Sequence, residues 1–372
     1  RELTVKVWYP TEISEGETAA YFSEELSREL ASDFGLSEEE LIELNEEIST
    51  NSIINAPVAD AESDYPVLFF SHGFGTASDF ITIYAVELAS LGYVVVSLNH
   101  TYDSPLTVFP DGRILGQSPV FNVQNDGEFL EVTRESVEVR AKDAQFVLDE
   151  LEDINAGDGL LSGKLDLDKV GFLGYSLGGA PAAETLLQDE RFKAGINLDG
   201  GLFINGVNES LSQPFMFMNN EFFGAGTPSD PISQELKEIR ESFIENIEND
   251  GYQLKIEDTN HQSFTDIPIF LNELKDAGVD LGELENSNKI VFAGKGDDLI
   301  DASTCSKGDN RIYAGEGDDI LILGGKSRIF GEEGNDRFFA TSAGDNIITG
   351  GEGADQFWIA VAETPDGTNT IT

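Results

Sequence analysis

Val170-Gly171-Phe172-Leu173-Gly174-Tyr175-Ser176-Leu177-Gly178-Gly179 is a short apolar run that ends in Gly-x-Ser-x-Gly and passes into the small residues Ala180, Ala182 and Ala183. The order is strand, tight turn, helix, the context in which this motif presents a nucleophile. The glycines have a steric reason: a serine held on a strained turn leaves no room for Cβ atoms at positions 174 and 178, which face the neighbouring strand and helix. Ser176 is the candidate nucleophile. The Leu177 N–H, at the start of the following helix, is a candidate donor to a developing oxyanion.

Further short apolar runs flank this one, at Pro66 to Ser71, Tyr93 to Leu98, Ala194 to Leu198, Pro214 to Met218 and Tyr252 to Ile256. Helical patterns separate them at Asp79 to Leu91, Glu128 to Ile154, Leu177 to Gln188 and Ile232 to Ile247, each with apolar residues near a 3.6 spacing. Strands alternating with helices predict an α/β domain built on a largely parallel sheet, ending near residue 287. Leu3 to Tyr9 already alternates like a strand, so both ends of the chain are expected to be clipped, the other stopping in mid-pattern at Thr370-Ile371-Thr372.

A second oxyanion donor is expected from the turn after an earlier strand, where Ser71-His72-Gly73-Phe74-Gly75 stands. The Phe74 N–H is the candidate, freed to point inward by its glycine neighbours, and His72 is read as structural. In an elbow of this type the base follows the nucleophile along the chain, and His261 is the one histidine that does. Two residues compete as the orienting acid. Asp199 ends the run Gly195-Ile196-Asn197-Leu198 and precedes Gly200-Gly201, whereas Glu221 follows the next strand. Asp258 lies only three residues before His261 and is read as solvated.

The charge narrows the partners. Lys plus Arg is 22 against 70 Asp plus Glu, a formal net charge of −48, which repels phosphate backbones and anionic headgroups and sets nucleic acid aside. One cysteine, Cys305, allows no internal disulfide, three histidines offer no His-rich zinc centre, and any bound cation should be a hard one held by oxygen. No apolar run approaches the roughly 18 residues of a membrane span. Between about 12 and 52 an insertion carries thirteen acidic residues, Glu12 to Glu47, against the single base Arg28, and reads as one or two amphipathic helices with a solvated face.

From 288 to 372 the composition shifts to Gly, Asp and Asn. Four nonapeptides fit G-G-x-G-x-D-x-U-x with at most one glycine substituted: residues 293–301, 314–322, 331–339 and 350–358. Each ends in a short strand with one inward apolar residue, Ile300, Leu321, Phe338 and Phe357. This segment resembles the repeat-in-toxin (hemolysin-type) calcium-binding β-roll. The resemblance implies a parallel β-roll holding structural Ca²⁺ through Asp298, Asp319, Asp336 and Asp355, helped by Asp297 and Asp318, with the four repeats stacked in one column. It also implies a bacterial protein exported to the extracellular medium by the one-step (type I) secretion apparatus.

The first 287 residues resemble the secreted-type platelet-activating-factor acetylhydrolases and their bacterial relatives. The residues that carry this are Val7-Trp8-Tyr9-Pro10, Ser71-His72-Gly73-Phe74-Gly75, Leu88-Ala89-Ser90-Leu91-Gly92-Tyr93-Val94-Val95-Val96, the elbow, Gly195-Ile196-Asn197-Leu198-Asp199-Gly200 and His261-Gln262-Ser263-Phe264-Thr265-Asp266. The resemblance implies an α/β-hydrolase fold and selects Asp199 over Glu221, because the family places its acid 23 residues after the serine. It implies a serine esterase without a catalytic cofactor, acting on short-chain or phospholipid sn-2 acyl esters. Polyester or lipid-ester hydrolysis is the alternative, and a non-catalytic calcium-stabilised surface protein is a third reading that the complete Ser176, Asp199, His261 set opposes.

Overall fold

The computed structural model describes residues 1–34, 36–48, 50–60, 64–118, 126–205, 209–220, 231–256, 259–268, 290–292, 299–301, 311–323, 328–340, 346–359 and 370–371. They group into two compact units, one of Arg1–Ile256 with Phe264–Asp266, the other of Glu257–Ser263 with Ile267–Thr372. The boundary expected near 287 lies outside the described residues.

The first unit opens with β1 (Thr4–Trp8) and then the acidic insertion, which folds as α1 (Glu24–Leu30) and α2 (Glu38–Glu47) around a 3₁₀ turn at Ala31–Phe34. Ser23 caps α1, and Ser37 forms a capping box with Glu40, so the glutamates of both first turns lie where the helix dipole favours negative charge. The insertion is more than a solvated face. Tyr21, Phe22, Leu26, Leu30, Leu41 and Leu44 are buried, and the Phe22 ring meets Phe80 edge-on at 5.2 Å.

The chain continues through β2 (Tyr65–Ser71), α3 (Thr82–Ser90) and β3 (Val94–Asn99), then a hairpin of β4 (Leu106–Val108) and β5 (Ile114–Gly116). After it come α4 (Asp126–Ala156), β6 (Leu165–Tyr175), α5 (Gly179–Gln188), β7 (Phe192–Leu198), β8 (Phe215–Asn220), α6 (Pro231–Glu245) and β9 (Gly251–Ile256). Sheet order is β1-β3-β2-β6-β7-β8-β9, antiparallel at β1 and parallel elsewhere. The strand runs are rich in Val, Ile and Phe because central parallel strands are covered on both faces. Phe69, Phe172 and Phe192, from β2, β6 and β7, are fully buried with ring centroids 5.2 to 5.9 Å apart. Each such ring contributes about 1.5–3 kcal/mol by leaving water.

One topological feature places the chemistry. The chain steps from β2 outward to β3, then returns to build β6 on the other side of β2. Loops leaving β2 and β6 therefore diverge and leave a crevice at the carboxyl ends of these two strands, the position where open α/β sheets bind ligands.

The second unit holds two parallel sheets, one of β10 (Ile290–Phe292), β12 (Arg311–Glu316), β14 (Arg328–Glu333), β16 (Ile347–Glu352) and β18 (Thr370–Ile371). The other is β11 (Leu299–Asp301), β13 (Ile320–Leu323), β15 (Arg337–Ala340) and β17 (Gln356–Ile359). Alternation between two parallel sheets is a β-roll. Ile300, Leu321, Phe338 and Phe357 pair directly in register, and the last two rings stack at 4.9 Å. The strands that end the four repeats stack in one column, as the β-roll resemblance implies.

Candidate active site

β6 pairs with β2 so that Gly174 faces Ser71, which brings the two turns side by side two residues further on. Ser176 then adopts φ 53°, a left-handed conformation that costs a side-chain-bearing residue about 1–2 kcal/mol. Close packing enforces it. A Cβ at Gly174 would lie 1.9 Å from the Gly178 carbonyl oxygen, and one at Gly178 would lie 2.0 Å from that of Ser71. The turn Ser176–Gly178 is 3₁₀ and runs directly into α5, leaving Leu177 at its start. Across the crevice, a Cβ on Gly73 would sit 3.2 Å from the Ser176 Cβ, so Gly73 packs against the candidate nucleophile.

β7 pairs with β6 so that Leu198 lies opposite Tyr175, and Asp199 follows one residue beyond, buried and also left-handed at φ 58°. Its N–H donates to the Met218 carbonyl at 2.8 Å. Its carboxylate accepts from the Asn220 N–H at 2.8 Å and from the Asn220 side-chain amide at 2.5 Å. Behind it the Gly200 N–H donates to Asn197 Oδ1 at 2.7 Å, and a Cβ on Gly200 would lie 2.0 Å from the Ser176 carbonyl oxygen. Gly200 is thus required by contact with the Ser176 backbone. Glu221 lies outside the described residues, as do Asp258, Asp297 and Asp298.

His261 opens the 3₁₀ turn His261–Phe264, five residues beyond the end of β9, and is exposed. Phe264, at the other end of that turn, is buried in a cluster with Phe70, Ile81 and Tyr175. The other two histidines are committed elsewhere. His100 is fully buried, with Nδ1 2.8 Å from Asp143 Oδ2 and Nε2 2.9 Å from the Ser71 hydroxyl, and burial pushes its pKa down to about 4. His72 accepts the His100 N–H on Nε2 at 3.1 Å, so its proton sits on Nδ1 and donates to the Gly73 carbonyl at 2.7 Å. Burial, then the Arg140 charge, holds His72 neutral with a pKa well below the ordinary value.

Ser71, His100 and Asp143 therefore form a hydrogen-bonded Ser-His-Asp chain of their own, but Ser71 and His100 are both wholly inaccessible and no substrate can reach them. A cavity of about 420 Å³ lies between α4 and α6, lined by Glu131, Glu135, Glu138 and Glu235 around Arg134, and includes no candidate catalytic residue.

In the roll, successive repeats are tied through their aspartates: the Asp319 N–H donates to Asp336 Oδ1 at 3.0 Å, and the Asp336 N–H to Asp355 Oδ1 at 3.1 Å. The second oxygen of Asp336 is buried and accepts no hydrogen bond. A Cβ on Gly331 would lie 2.2 Å from it and 2.3 Å from the Gly350 carbonyl, so carboxylate and carbonyl oxygens converge there. Burial raises the Asp336 pKa, with the Asp355 and Asp318 charges adding to it. Such oxygens fit a hard divalent cation, and the donors are mixed: among the described residues no three Asp, Glu, His or Cys side chains converge.

Asn220, which holds the Asp199 carboxylate, and Asn197, which holds the Gly200 N–H behind it, were missed by sequence reasoning, because an asparagine in or at the end of a strand carries no chemical signature. The Ser71, His100 and Asp143 chain was missed for a different reason, since its members lie far apart in sequence and only the packed structure joins them.

A sheet whose strand order reverses beside a serine-bearing strand-turn-helix is the architecture of the α/β-hydrolases, and the first unit is one. The family model for platelet-activating factor acetylhydrolase, isoform II, matches residues 6–279, and the chain belongs to this family. The model for the RTX calcium-binding nonapeptide repeat matches 306–325, 323–342 and 330–358. Among curated relatives, a platelet-activating factor acetylhydrolase of Cavia porcellus is 29% identical over 48% of this chain and 45% of its own length. That of Bos taurus is 28% identical over 61% and 54%. A protein of Arthroderma benhamiae named "Probable 1-alkyl-2-acetylglycerophosphocholine esterase" is 29% identical over 41% and 36%. The chain spans about half or less of the length of these relatives. Among solved structures, a ferulic acid esterase from Streptomyces cinnamoneus superposes with a TM-score of 0.61 at 30% identity, covering 77% of this chain and 74% of the other.

Proposed function

We propose that this chain is a serine carboxylic-ester hydrolase that acts through an acyl-enzyme. The observation that carries the reading is the left-handed Ser176 at the β2/β6 crevice, with a buried, doubly hydrogen-bonded carboxylate at the end of the next strand. His261 is the base, since both other imidazoles are buried with every ring nitrogen engaged. It takes the proton of the Ser176 hydroxyl as Oγ attacks the ester carbonyl, and Asp199 fixes the imidazole tautomer and stabilises its charged form. The Phe74 and Leu177 N–H groups receive the oxyanion. Collapse expels the alcohol with the proton from His261, and water then repeats the sequence on the acyl-serine.

Short-chain esters and the sn-2 acyl esters of phospholipids are the proposed substrates, by analogy with the named relatives. The similarity to a ferulic acid esterase favours a second reading, esters of ferulic acid. Calcium, when bound by the roll, supplies oxygen-coordinated cross-links between successive turns and has no part in ester chemistry. The repeats support an extracellular protein exported by type I secretion. No helix among the described residues is long and apolar enough to cross a membrane.

The test is a panel of p-nitrophenyl esters of increasing chain length, an oxidised phospholipid and methyl ferulate, run on wild type, S176A and H261A. Turnover should vanish in both variants and be greatest for acetyl to butyryl esters in the wild type. Substantial turnover in either variant would remove the triad, and a rate rising to C12 or beyond would indicate a lipase.

A further inference from the structure

Behind the Ser71-His72-Gly73-Phe74-Gly75 turn lies a buried cation that the chemistry above does not use. Arg140, on α4, is wholly inaccessible. Its Nη1 donates to the His72 carbonyl at 2.6 Å, and its Nε to Asp103 Oδ2 at 2.7 Å. Asp103 also receives the Ser136 hydroxyl at 2.6 Å. Burial opposes the Asp103 charge, but Arg140 and Ser136 outweigh it and hold its pKa below the usual range. The backbone carbonyl of the same Asp103 accepts the Gly75 N–H at 3.4 Å and the Gln117 side-chain amide at 3.0 Å. One ion pair therefore holds the turn at both ends, at the His72 carbonyl and at the Gly75 N–H, with Phe74 between them.

We propose that Arg140 is a positioning residue that, with Asp103, fixes the peptide plane presenting the Phe74 N–H to the oxyanion. The proposal rests on Phe74 as an oxyanion donor. A trans peptide points its C=O and N–H in opposite directions, so whatever holds the Gly73 carbonyl aims the Phe74 N–H. That carbonyl is held by His72 Nδ1–H at 2.7 Å and by the Thr76 hydroxyl at 3.2 Å. The His72 ring can do this only while its own backbone is fixed, and Arg140 fixes it. A buried ion pair is weak evidence of stability, since a matched apolar pair serves as well. What an apolar pair does not supply is a directed donor to the His72 carbonyl.

The experiment compares R140K and the double variant R140M/D103L with wild type, using p-nitrophenyl butyrate as substrate, a butyl trifluoromethyl ketone as mimic of the tetrahedral adduct, and butyrate as product inhibitor. R140K keeps the buried charge but cannot reach both partners. Its kcat should fall on the order of ten- to a hundredfold with KM within about threefold, as for loss of a donor used only in the transition state. Ketone affinity should weaken by a similar factor while butyrate inhibition is unchanged. R140M/D103L removes both charges and should keep a wild-type Tm without recovering kcat. Return of kcat and ketone affinity together with Tm in the double variant would overturn the proposal, as would an unchanged R140K. Full turnover in S176A would instead overturn the site on which the proposal depends.

Discussion

Asn220 holds Asp199 with two hydrogen bonds, from its backbone N–H at 2.8 Å and its side-chain amide at 2.5 Å, so the last residue of β8 fixes the carboxylate at the end of β7. Both bonds reach a buried side-chain carboxylate, and hydrogen bonds to such groups are worth about 1.5–3 kcal/mol each. N220A keeps the backbone donor and should lower kcat about tenfold. D199N should cost on the order of 10⁴, because a wrong imidazole tautomer cannot accept the serine proton. Steady-state kinetics on a short-chain ester check both, and a D199N enzyme within tenfold of wild type would remove Asp199 from the triad.

Gly200 should tolerate no side chain. A Cβ there meets backbone atoms of Ser176, which cannot move without shifting the elbow. G200A should lose most of its activity and about 1–3 kcal/mol of stability by overpacking. Gly159, where nothing lies within 4 Å of an added Cβ, is the control, and G159A should match wild type in Tm and turnover.

Asp266 should make stability depend on pH. It is buried, accepts from the Tyr21 hydroxyl at 2.8 Å and the Ile83 N–H at 2.9 Å, and burial pushes its pKa up to about 7. The native state therefore keeps a proton that the unfolded chain has lost, and its contribution falls as pH rises from about 4 to 7, then levels off. D266N keeps an acceptor oxygen without the charge. Its stability relative to wild type should grow over that range, by up to about 4 kcal/mol. The buried histidines titrate in both proteins and cancel. Parallel denaturation curves at pH 5 and pH 8 would exclude this role.

Calcium and catalysis should separate. In the full chain, EDTA should expose the Ile290–Ile371 strands to proteolysis while ester turnover persists, and D336A should raise the calcium needed for protection. Turnover lost in proportion to chelation would tie the metal to the chemistry.

Much of this was legible in the sequence because local sterics speak through residue type. The elbow glycines, the small residues of α5 and the apolar strand runs each have one economical backbone reading, and together they specify a largely parallel sheet with a serine on its edge. The nonapeptide phase likewise put Ile300, Leu321, Phe338 and Phe357 in one column before any strand was placed. Chain order and residue type singled out His261, but between Asp199 and Glu221 they left a choice that resemblance alone decided.

What sequence could not supply are relations between residues far apart in the chain. Asn220 bracing Asp199, Arg140 reaching across to the His72 carbonyl, and the Tyr21 hydroxyl on Asp266 depend on strands and helices being brought together by the sheet, and no spacing encodes them. The same holds for the two Ser-His-Asp sets. By residue type Ser71, His100 and Asp143 are as good a triad as any, and their mutual distances satisfy the geometry. Burial decides against them, because a nucleophile sealed in the core cannot meet an ester, and burial is a property of the packed structure.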